Sequence, residues 1–314
     1  LVLKDNAYGH GLREIASLAR EFGVQDVFVK TYDEAQIVRE FFGSITILYG
    51  EPKGALAPNM AIAINNKEIL HSLAFGSKVE LKVNTGMNRN GIDPSELEEY
   101  ITLITQNGLE LFGVFTHNGY GDDLGDDFKI GCENFENIKV AVLYICKKLG
   151  IEKPRFHGLN SSGTLRSQTI TDDLVRVGIG AYGYLQSDAT PQIAHALKPV
   201  ASLWADRISS KILPKGAKIG YGGKSVLQEE SMVSTYDIGY GDGFPRINEH
   251  TKLYTACGKR ILPRTSMDCF SCVSDAPRIC VFDNVMPIAQ AFNTISYEVL
   301  THLSPFIKRT IVRK

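Results

Sequence analysis

The chain has 314 residues, of which 44% are hydrophobic, and its 34 Lys and Arg nearly balance its 35 Asp and Glu. This length supports a large buried core in one big domain or two ordinary ones. A nearly neutral chain has no long-range field for nucleic acid or an acidic membrane, so we expect neither partner and predict a small-molecule substrate. Few cysteines, and no signal peptide or apolar run of membrane-spanning length, favour a cytoplasmic protein.

The first two thirds of the chain alternate short β-branched runs with amphipathic helical stretches, which is typical of repeated βα units. The helical spacing predicts helices from Leu12 to Phe22, over 94–107 and over 127–149. About eight strand-like runs favour a closed (β/α)₈ barrel over the alternative, a doubly wound open sheet. These runs are Leu1–Lys4, Asp26–Lys30, Ile45–Tyr49, Met60–Ile64, Val79–Asn84, Leu111–His117, Pro154–Asn160 and Leu174–Ile179.

From about Leu197 the helical periodicity fades and strand-like runs follow one another closely. We therefore predict a barrel domain over 1–196 and a mostly β domain over 197–314. The predicted strands of the second domain are Ala201–Ile208, Met232–Tyr240, Lys252–Cys257 and Ile279–Phe282.

Polar residues that close an apolar strand are candidates for the active site, because a parallel barrel places its site at the carboxyl ends of its strands. Lys4 follows the apolar run LVL, where a desolvated amine would have the lowered pKa that a nucleophile requires. Considered alone, it fits a solvated strand-end lysine better. The other candidates are Lys82 with Arg89, His117, His157 with Asn160 and Ser161, and Arg176 with Gly178.

Two of these candidates have a structural alternative that local sequence leaves open. Ser161 and its neighbours could hold a phosphate at the start of a helix, or could be a plain helix N-cap. Arg176 could face a ligand, or could form an ion pair with Asp172 or Asp173.

The second domain adds two further motifs with open readings. Tyr221 or Tyr240 could act as an acid or base if a cation lowered its pKa from about 10, or could be a turn tyrosine with a wet hydroxyl. Cys269 and Cys272 form a CxxC pair, but no second pair or suitably spaced histidine completes a zinc set, so we predict no metal site.

Motifs along essentially the whole chain resemble, in the same order, those of the alanine racemase family of fold-type III pyridoxal-phosphate (PLP) enzymes. The family's cofactor, arginine, histidine, phosphate and pyridine segments resemble KDNAYGHG, KVNTGMNRNG, THNGYGDD, FHGLNSSG and LVRVGIGAYG. In the second domain, the matching segments are AKIGYGGKS, DIGYGDGFPR, RTSMDCF and NTISYEVL. Asn84 departs from the aspartate usual in the family, and Gly241 stands where alanine is common.

The resemblance implies a PLP enzyme that interconverts L- and D-alanine and supplies D-alanine for peptidoglycan synthesis. It also implies a homodimer in which each active site takes residues from the partner's β domain. Lys4 would hold PLP as a Schiff base and act as the base for the D isomer, while Tyr221 of the partner subunit would act on the L isomer from the opposite face. Two bases suit inversion, because a proton must leave one face of Cα and return to the other.

The resemblance also assigns the remaining site residues. Arg176 would face the pyridine nitrogen and keep it unprotonated, because the pKa of arginine is high. His117 and His157 would support Tyr221 and Arg176, Asn160 would lie among the cofactor-binding residues, and Lys82 matches a lysine that is carbamylated in some members. The proposed phosphate ligands are Tyr8, Ser161, Gly178, Ile179 and Tyr297. Arg89 would approach both the cofactor oxygen and the substrate carboxylate, and the other substrate-binding residues are Met267, Tyr240 and Asp268.

Three alternatives accompany this interpretation: a broad-specificity amino-acid racemase, a related fold-type III decarboxylase, and a non-catalytic PLP-binding protein. The decarboxylases pair the pyridine nitrogen with a carboxylate, whereas this chain offers Arg176. The non-catalytic carriers resemble only the first domain and have no counterpart of Tyr221 or Met267.

Overall fold

A computed structural model of the protein describes residues 1–185 and 187–313. The chain divides into two compact units. The first contains Leu1–Ala7 and Leu12–Lys198, and the second contains Tyr8–Gly11 and Pro199–Lys314.

The first unit is built on a six-stranded parallel sheet with the strand order β1-β2-β3-β4-β5-β6. Sequential order with parallel pairing is what repeated right-handed βα units produce. All five residues of β3 are buried, as expected for a strand that is covered on both faces. The strands are β1 (Asp26–Val29), β2 (Ser44–Ile47), β3 (Met60–Ile64), β4 (Lys78–Lys82), β5 (Glu110–Phe115) and β6 (Arg155–His157).

Two paired segments beside the sheet supply the remaining strand positions of the barrel. Val2 forms a parallel bridge with Phe28 of β1, and its N–H donates to the carbonyl of Val177 over 2.8 Å. On the other side, the N–H of Asp173 donates to the carbonyl of Phe156 in β6 over 2.9 Å. The predicted (β/α)₈ barrel is therefore confirmed, with its first and last strands held by isolated backbone hydrogen bonds.

Helices follow the strands, and the two long predicted helices are present. The region 94–107 begins as a 3₁₀ turn at Pro94–Glu96, capped by Asp93, and continues as α4. The 23-residue α5 ends where Gly150 adopts a left-handed conformation with φ of 68°, which glycine accepts without strain. The helices of this unit are α1 (Lys4–Tyr8), α2 (Leu12–Glu21), α3 (Tyr32–Val38), α4 (Leu97–Gln106), α5 (Asp127–Leu149), α6 (Ser161–Arg166) and α7 (Pro191–Ala196).

The second unit contains a five-stranded antiparallel sheet with the order β11-β12-β10-β7-β13 and a separate pair, β8-β9. The predicted mostly β second domain is thus confirmed in kind. The strands are β7 (Leu203–Leu213), β8 (Lys218–Ile219), β9 (Ser225–Val226), β10 (Ser231–Tyr236), β11 (Ile261–Leu262), β12 (Phe270–Val273) and β13 (Arg278–Phe282). Two short helices, α8 (Met286–Ala291) and α9 (Ser296–Thr301), follow them.

One predicted strand of the second domain, Lys252–Cys257, is wrong. Only Tyr254 pairs there, as an isolated bridge with Arg260. The chain instead turns back on itself, because Gly258 adopts a φ of 75° and the N–H of Thr255 donates to the carbonyl of Lys259 over 2.8 Å.

Across the described ranges, we find no helix with both the length and the apolarity needed to cross a bilayer.

Candidate active site

Lys4 begins α1, a single helical turn of unusual handedness at the end of the first barrel strand. The four residues that follow it, Asp5 to Tyr8, have φ angles between 52° and 56°. Left-handed helical geometry costs about 1–2 kcal/mol for each residue with a Cβ, so the surrounding structure must hold this turn in place.

Side chains near the turn supply that support. The carboxylate of Glu34 accepts hydrogen bonds from the backbone N–H groups of Asn6, over 3.1 Å, and Lys30, over 2.7 Å. The ammonium of Lys30 then pairs with Asp5 over 2.7 Å. The side chain of Asn6 accepts from the N–H of Leu12, the first residue of α2, over 2.8 Å and so joins the turn to that helix.

Four cationic side chains act on His117 at the carboxyl ends of the barrel strands. The pKa of His117 is lowered to about 3, mainly by burial and secondly by the positive charge of these four side chains. His117 is therefore neutral at pH 7 and able to accept a hydrogen bond at one ring nitrogen. We call this group the cationic cluster; it consists of Arg176, Arg89, Lys82 and Lys4.

Lys82 is the member of the cationic cluster at the end of β4. It is 6% exposed, and burial together with the other three cations lowers its pKa to about 8. Its ammonium donates to the side-chain carbonyl of Asn90 and lies 5.9 Å from the centre of the Phe115 ring. A lysine with this pKa has an appreciable neutral fraction near pH 7, which reaction at its amine requires.

Arg176 lies among hydrogen-bond acceptors of the neighbouring strands and is 6% exposed. Its Nη1 donates to the carbonyl of His157 over 2.9 Å, and its Nη2 donates to the carbonyl of Thr116 over 2.5 Å. Burial lowers the pKa of Arg176 to about 10, which still leaves it charged at pH 7.

The alternative role of Arg176 in a local ion pair is not realised in the described structure. The carboxylate of Asp172 pairs with Lys139 over 2.5 Å, and that of Asp173 pairs with Lys153 over 3.1 Å. Both carboxylates also accept backbone N–H groups of the β6 region. The side chain of Arg176 is thus positioned by the barrel interior.

Sequence reasoning missed the buried groups beneath Arg176. Glu80, in the middle of β4, contacts both His157 and Arg155 and is fully buried. Burial alone would raise its pKa, but the contacts with His157 and Arg155 outweigh burial and lower the pKa to about 2. The sequence signal for this network is the charged Glu80 inside the apolar strand β4, together with Arg155 in β6, two strands further along the chain.

Asn160 and Ser161 lie at the start of α6, and their side chains accept different hydrogen bonds. The N-cap is Asn160, whose side-chain oxygen accepts from the N–H of Gly163 over 2.9 Å. The hydroxyl of Ser161 instead accepts from the backbone N–H groups of Gly178, over 3.0 Å, and Gly180, over 3.2 Å. A hydroxyl that accepts can still donate its own hydrogen, so Ser161 has a donor for an anion beside the 3₁₀ turn Ile179–Tyr182.

Arg89 is exposed in the loop that follows β4, and Asn84 shapes that loop. The side-chain oxygen of Asn84 accepts from the N–H groups of Gly86, over 3.1 Å, and Asn88, over 3.0 Å. An aspartate could accept the same two bonds, but only the amide donates, as it does here to the side chain of Asn88 over 2.7 Å. The departure from the family pattern thus adds a hydrogen bond to the loop.

The candidate residues of the second unit form two smaller groups and one separate tyrosine. Tyr8 and Tyr297 have ring centroids 6.0 Å apart. Tyr240 and Met267 lie in adjoining loops, because the N–H of Tyr240 donates to the carbonyl of Ser266 over 3.1 Å. Asp268 follows directly and is exposed.

Tyr221 begins the 3₁₀ turn Tyr221–Gly223 after β8 and is 65% exposed. Gly220 and Gly222 flank it, each with a φ of 70°, a conformation that glycine adopts readily. The structure therefore presents the phenol on the surface of its own chain.

The barrel brings together Lys4, Lys82, Arg89, His117, His157 and Arg176, with Ser161 and Gly178 on neighbouring strand ends.

All six cysteines, including Cys269 and Cys272, are free thiols. Cys272 lies in β12 and is fully buried, and burial raises the pKa of its thiol to about 11. Within the described part of the chain, His, Cys, Asp and Glu side chains form no group of three or more suited to a metal ion.

Two family profiles match this chain. The profile described as alanine racemase, N-terminal domain, matches residues 1–186, and the profile described as alanine racemase, C-terminal domain, matches residues 200–311. A curated alanine racemase from Campylobacter concisus (strain 13826) is 42% identical over 312 residues, which cover 99% of this chain and 91% of that protein.

Solved structures agree with this match. Alanine racemase from Streptomyces lavendulae, a D-cycloserine producer, has a TM-score of 0.84 over 100% of this chain and 90% of that chain; at 24% identity it supports the fold alone. Alanine racemase from Bacillus anthracis with bound L-Ala-P has a TM-score of 0.79 and 27% identity, over 96% of this chain and 85% of that chain.

The fold and these matches define the class of protein: an isomerase built from a (β/α)₈ barrel followed by a β domain. The chain belongs to the alanine racemase family. A barrel-only cofactor carrier does not fit, because the second profile covers residues 200–311.

Proposed function

We propose that this chain is a PLP-dependent racemase that interconverts L-alanine and D-alanine. The observation that carries the proposal is the position of Lys4 and Arg176 in one cationic cluster, where both act on His117 and Lys82. The family resemblance assigns the first residue to the cofactor aldehyde and the second to the pyridine nitrogen. One set of residues at the strand ends therefore has the chemistry to hold both ends of the cofactor ring.

The residues of the barrel fit PLP in charge and in hydrogen-bonding capacity. A phosphate and a ring oxygen would bring negative charge to a region where four cationic side chains help to lower the pKa of His117. The hydroxyl of Ser161 supplies a donor that suits a phosphate, and the N–H groups of Gly178 and Gly180 hold its oxygen beside the turn that begins at Ile179. We therefore propose Ser161, Gly178 and Ile179 as phosphate ligands in the barrel, with Asn160 fixing the start of α6.

In the second unit, we propose the neighbouring phenols of Tyr8 and Tyr297 as further phosphate ligands. Tyr240, Met267 and Asp268 would belong to the substrate-binding surface, with the N–H of Met267 donating to the substrate carboxylate. Arg89, at the barrel end, would pair with the same carboxylate, because a guanidinium binds two oxygens at once.

PLP, when bound, supplies an electron sink that stabilises negative charge at the substrate Cα. Lys4 would carry the cofactor and exchange a proton with Cα on one face. The phenol of Tyr221 would exchange a proton on the opposite face, and the exposure of Tyr221 on its own chain supports a role in a second subunit. Arg176, charged at pH 7, would keep the pyridine nitrogen unprotonated and would restrain side reactions.

These roles require a homodimer with shared active sites, with a barrel domain over 1–196 and a β domain over 197–314 that serves the partner. We also propose that the D-alanine supports peptidoglycan synthesis and that the enzyme works in the cytoplasm, where six free thiols would stay reduced. Lys82 is the candidate for carbamylation, because its amine has a lowered pKa and its charge lies among other cations.

Chiral analysis of L-alanine after incubation with the PLP-loaded protein tests the proposal. We expect D-alanine to form until both enantiomers are equal in amount, without release of CO₂. Lys4→Ala should abolish both D-alanine formation and retention of the cofactor absorbance, whereas Lys53→Ala, at an exposed ion pair, should change neither. CO₂ release without racemisation would favour the decarboxylase alternative, and a faster reaction with another amino acid would favour a broad-specificity racemase.

A further inference from the structure

His157 lies between the carboxylate of Glu80 and the guanidinium of Arg176 in the interior of the barrel. Its Nε2 lies 2.9 Å from Oε2 of Glu80, and its Nδ1 lies 2.5 Å from Nη1 of Arg176. The imidazole and the carboxylate are both fully buried. The ring also stacks on Phe115, with centroids 5.0 Å apart and planes at 14°. Packing on this face fixes the orientation of the ring, so each nitrogen keeps its own partner.

These contacts determine which ring nitrogen carries the proton. A guanidinium has only donors, so Nδ1 of His157 must accept from Arg176. In a neutral imidazole the proton then lies on Nε2, where it is donated to the carboxylate of Glu80. Burial, as the main cause, lowers the pKa of His157, which supports the neutral form at pH 7.

Oε1 of Glu80 accepts hydrogen bonds from other donors, so Oε2 is the oxygen that faces His157. Oε1 accepts from Thr46 Oγ1 over 3.0 Å, from Arg155 Nε over 2.8 Å, and also from Arg155 Nη2. Arg155 is itself fixed by Asp26 over 2.6 Å and by Ser44 over 3.1 Å. The carboxylate therefore cannot rotate without breaking several buried hydrogen bonds, each costly to lose.

We propose that Glu80 is a positioning residue that selects the Nε2–H tautomer of His157 and thereby holds the guanidinium of Arg176 in place. The tautomer is a property of the protein alone. The consequence for the cofactor nitrogen rests on the proposed function.

The substitution Glu80→Gln tests this relay sharply, because it keeps the shape and reverses one hydrogen bond. Three donors on Oε1 keep the amide oxygen of the introduced glutamine on the side of Arg155. Its NH₂ group then faces Nε2 of His157, which must become an acceptor. The imidazole proton would have to move to Nδ1, where it meets the donor of Arg176, so the contact between His157 and Arg176 is lost.

We would measure the protonation of both ring nitrogens of His157 by NMR on protein labelled with ¹⁵N-histidine, with and without PLP. The wild type should show a proton on Nε2 and none on Nδ1. Glu80→Gln should shift the proton to Nδ1, while Glu110→Gln, an exposed glutamate of β5, should leave the wild-type pattern. Thr46→Val, which removes one donor and keeps the carboxylate, should also leave it unchanged.

Two outcomes would overturn the proposal: a wild-type His157 protonated on Nδ1, or an Nε2–H tautomer that persists in folded Glu80→Gln. The wild-type measurement decides even if Glu80→Gln does not fold. With PLP bound, Glu80→Gln should also alter the cofactor absorbance and lower kcat about tenfold or more, with little change in KM. If the wild type fails to racemise alanine, the proposed function fails while the tautomer result still stands.

Discussion

The carboxylate of Glu34 accepts a hydrogen bond from the backbone N–H of Asn6 over 3.1 Å, in the middle of the left-handed turn that follows Lys4. Its other oxygen accepts from the N–H of Lys30 over 2.7 Å, so one side chain ties the turn to the end of β1. Without this bond the strained turn would lose a main restraint on its geometry, and with it the position of Lys4.

Replacing Glu34 by alanine should therefore destabilise the protein and loosen the base of the active site. We expect the free energy of unfolding to fall by about 1–3 kcal/mol, the cost of unsatisfied amide groups. Urea unfolding and retention of PLP after gel filtration measure the two effects. Glu40→Ala, at an exposed ion pair with Arg39, is the matched control and should leave both unchanged. Equal behaviour of the two variants would show that the turn needs no such restraint.

His117 should make the folded protein sensitive to acid well above the pH at which carboxylates titrate. Its pKa is 6.5 when unfolded and about 3 when folded, so below pH 6.5 the unfolded chain binds a proton that the folded chain does not. Stability from this group is thus complete above pH 6.5 and falls as pH drops toward 3, by about 1.4 kcal/mol per pH unit.

Urea unfolding at pH 7, 6 and 5 measures this dependence. His117→Gln should make the slope shallower without abolishing it, because burial lowers the pKa of His157 as well. His71→Gln, at an exposed position, should keep the wild-type slope. The range avoids Glu80, because its pKa falls from 4.5 to about 2 on folding and its stabilising effect is lost only at lower pH. An identical slope in wild type and His117→Gln would contradict the assignment.

Arg176→Lys should impair both stability and turnover although it keeps the positive charge. A lysine cannot reproduce the planar set of donors that reaches His157 on two atoms and the carbonyl of Thr116. We expect the melting temperature to fall and kcat for alanine to drop about tenfold or more. Arg20→Lys, whose guanidinium makes one exposed contact with the carbonyl of Glu40, should behave as wild type. Full activity in Arg176→Lys would show that charge alone suffices.

The sequence was sufficient for the barrel but not for the groups that orient its site. Eight strand-like runs predicted the eight strand positions, because strands buried on both faces have a strong apolar signal. The left-handed turn after Lys4 was not predictable, since Ala7 and Tyr8 have no preference for positive φ. Glu80 was missed because its partners, Arg155 and His157, lie on another strand and meet it only in the closed barrel.

In the second unit, the short strands are less predictable from the sequence. β11 has only two residues, which is too short for a recognisable alternating pattern, and it is held by pairing with β12. Tertiary pairing, not periodicity, defines these strands.

A shared active site predicts that two inactive variants complement each other. In a mixed dimer of Lys4→Ala and Tyr221→Phe, one of the two sites contains both Lys4 and Tyr221. Random reassociation of equal amounts should restore about a quarter of the wild-type activity, because half of the dimers are mixed and each has one intact site. The assay is racemisation after denaturation and joint refolding, with each variant refolded alone as control. Absence of recovery from well-folded dimers would place both residues in one subunit's site.

The most direct test of the two-base account is the fate of the Cα proton in Tyr221→Phe, followed by mass spectrometry and chiral analysis in deuterium oxide. If Lys4 serves one face and Tyr221 the other, this variant should exchange the Cα proton of D-alanine for deuterium without inverting it. The same variant should neither exchange nor invert L-alanine. Racemisation of L-alanine by Tyr221→Phe at the wild-type rate would contradict the account.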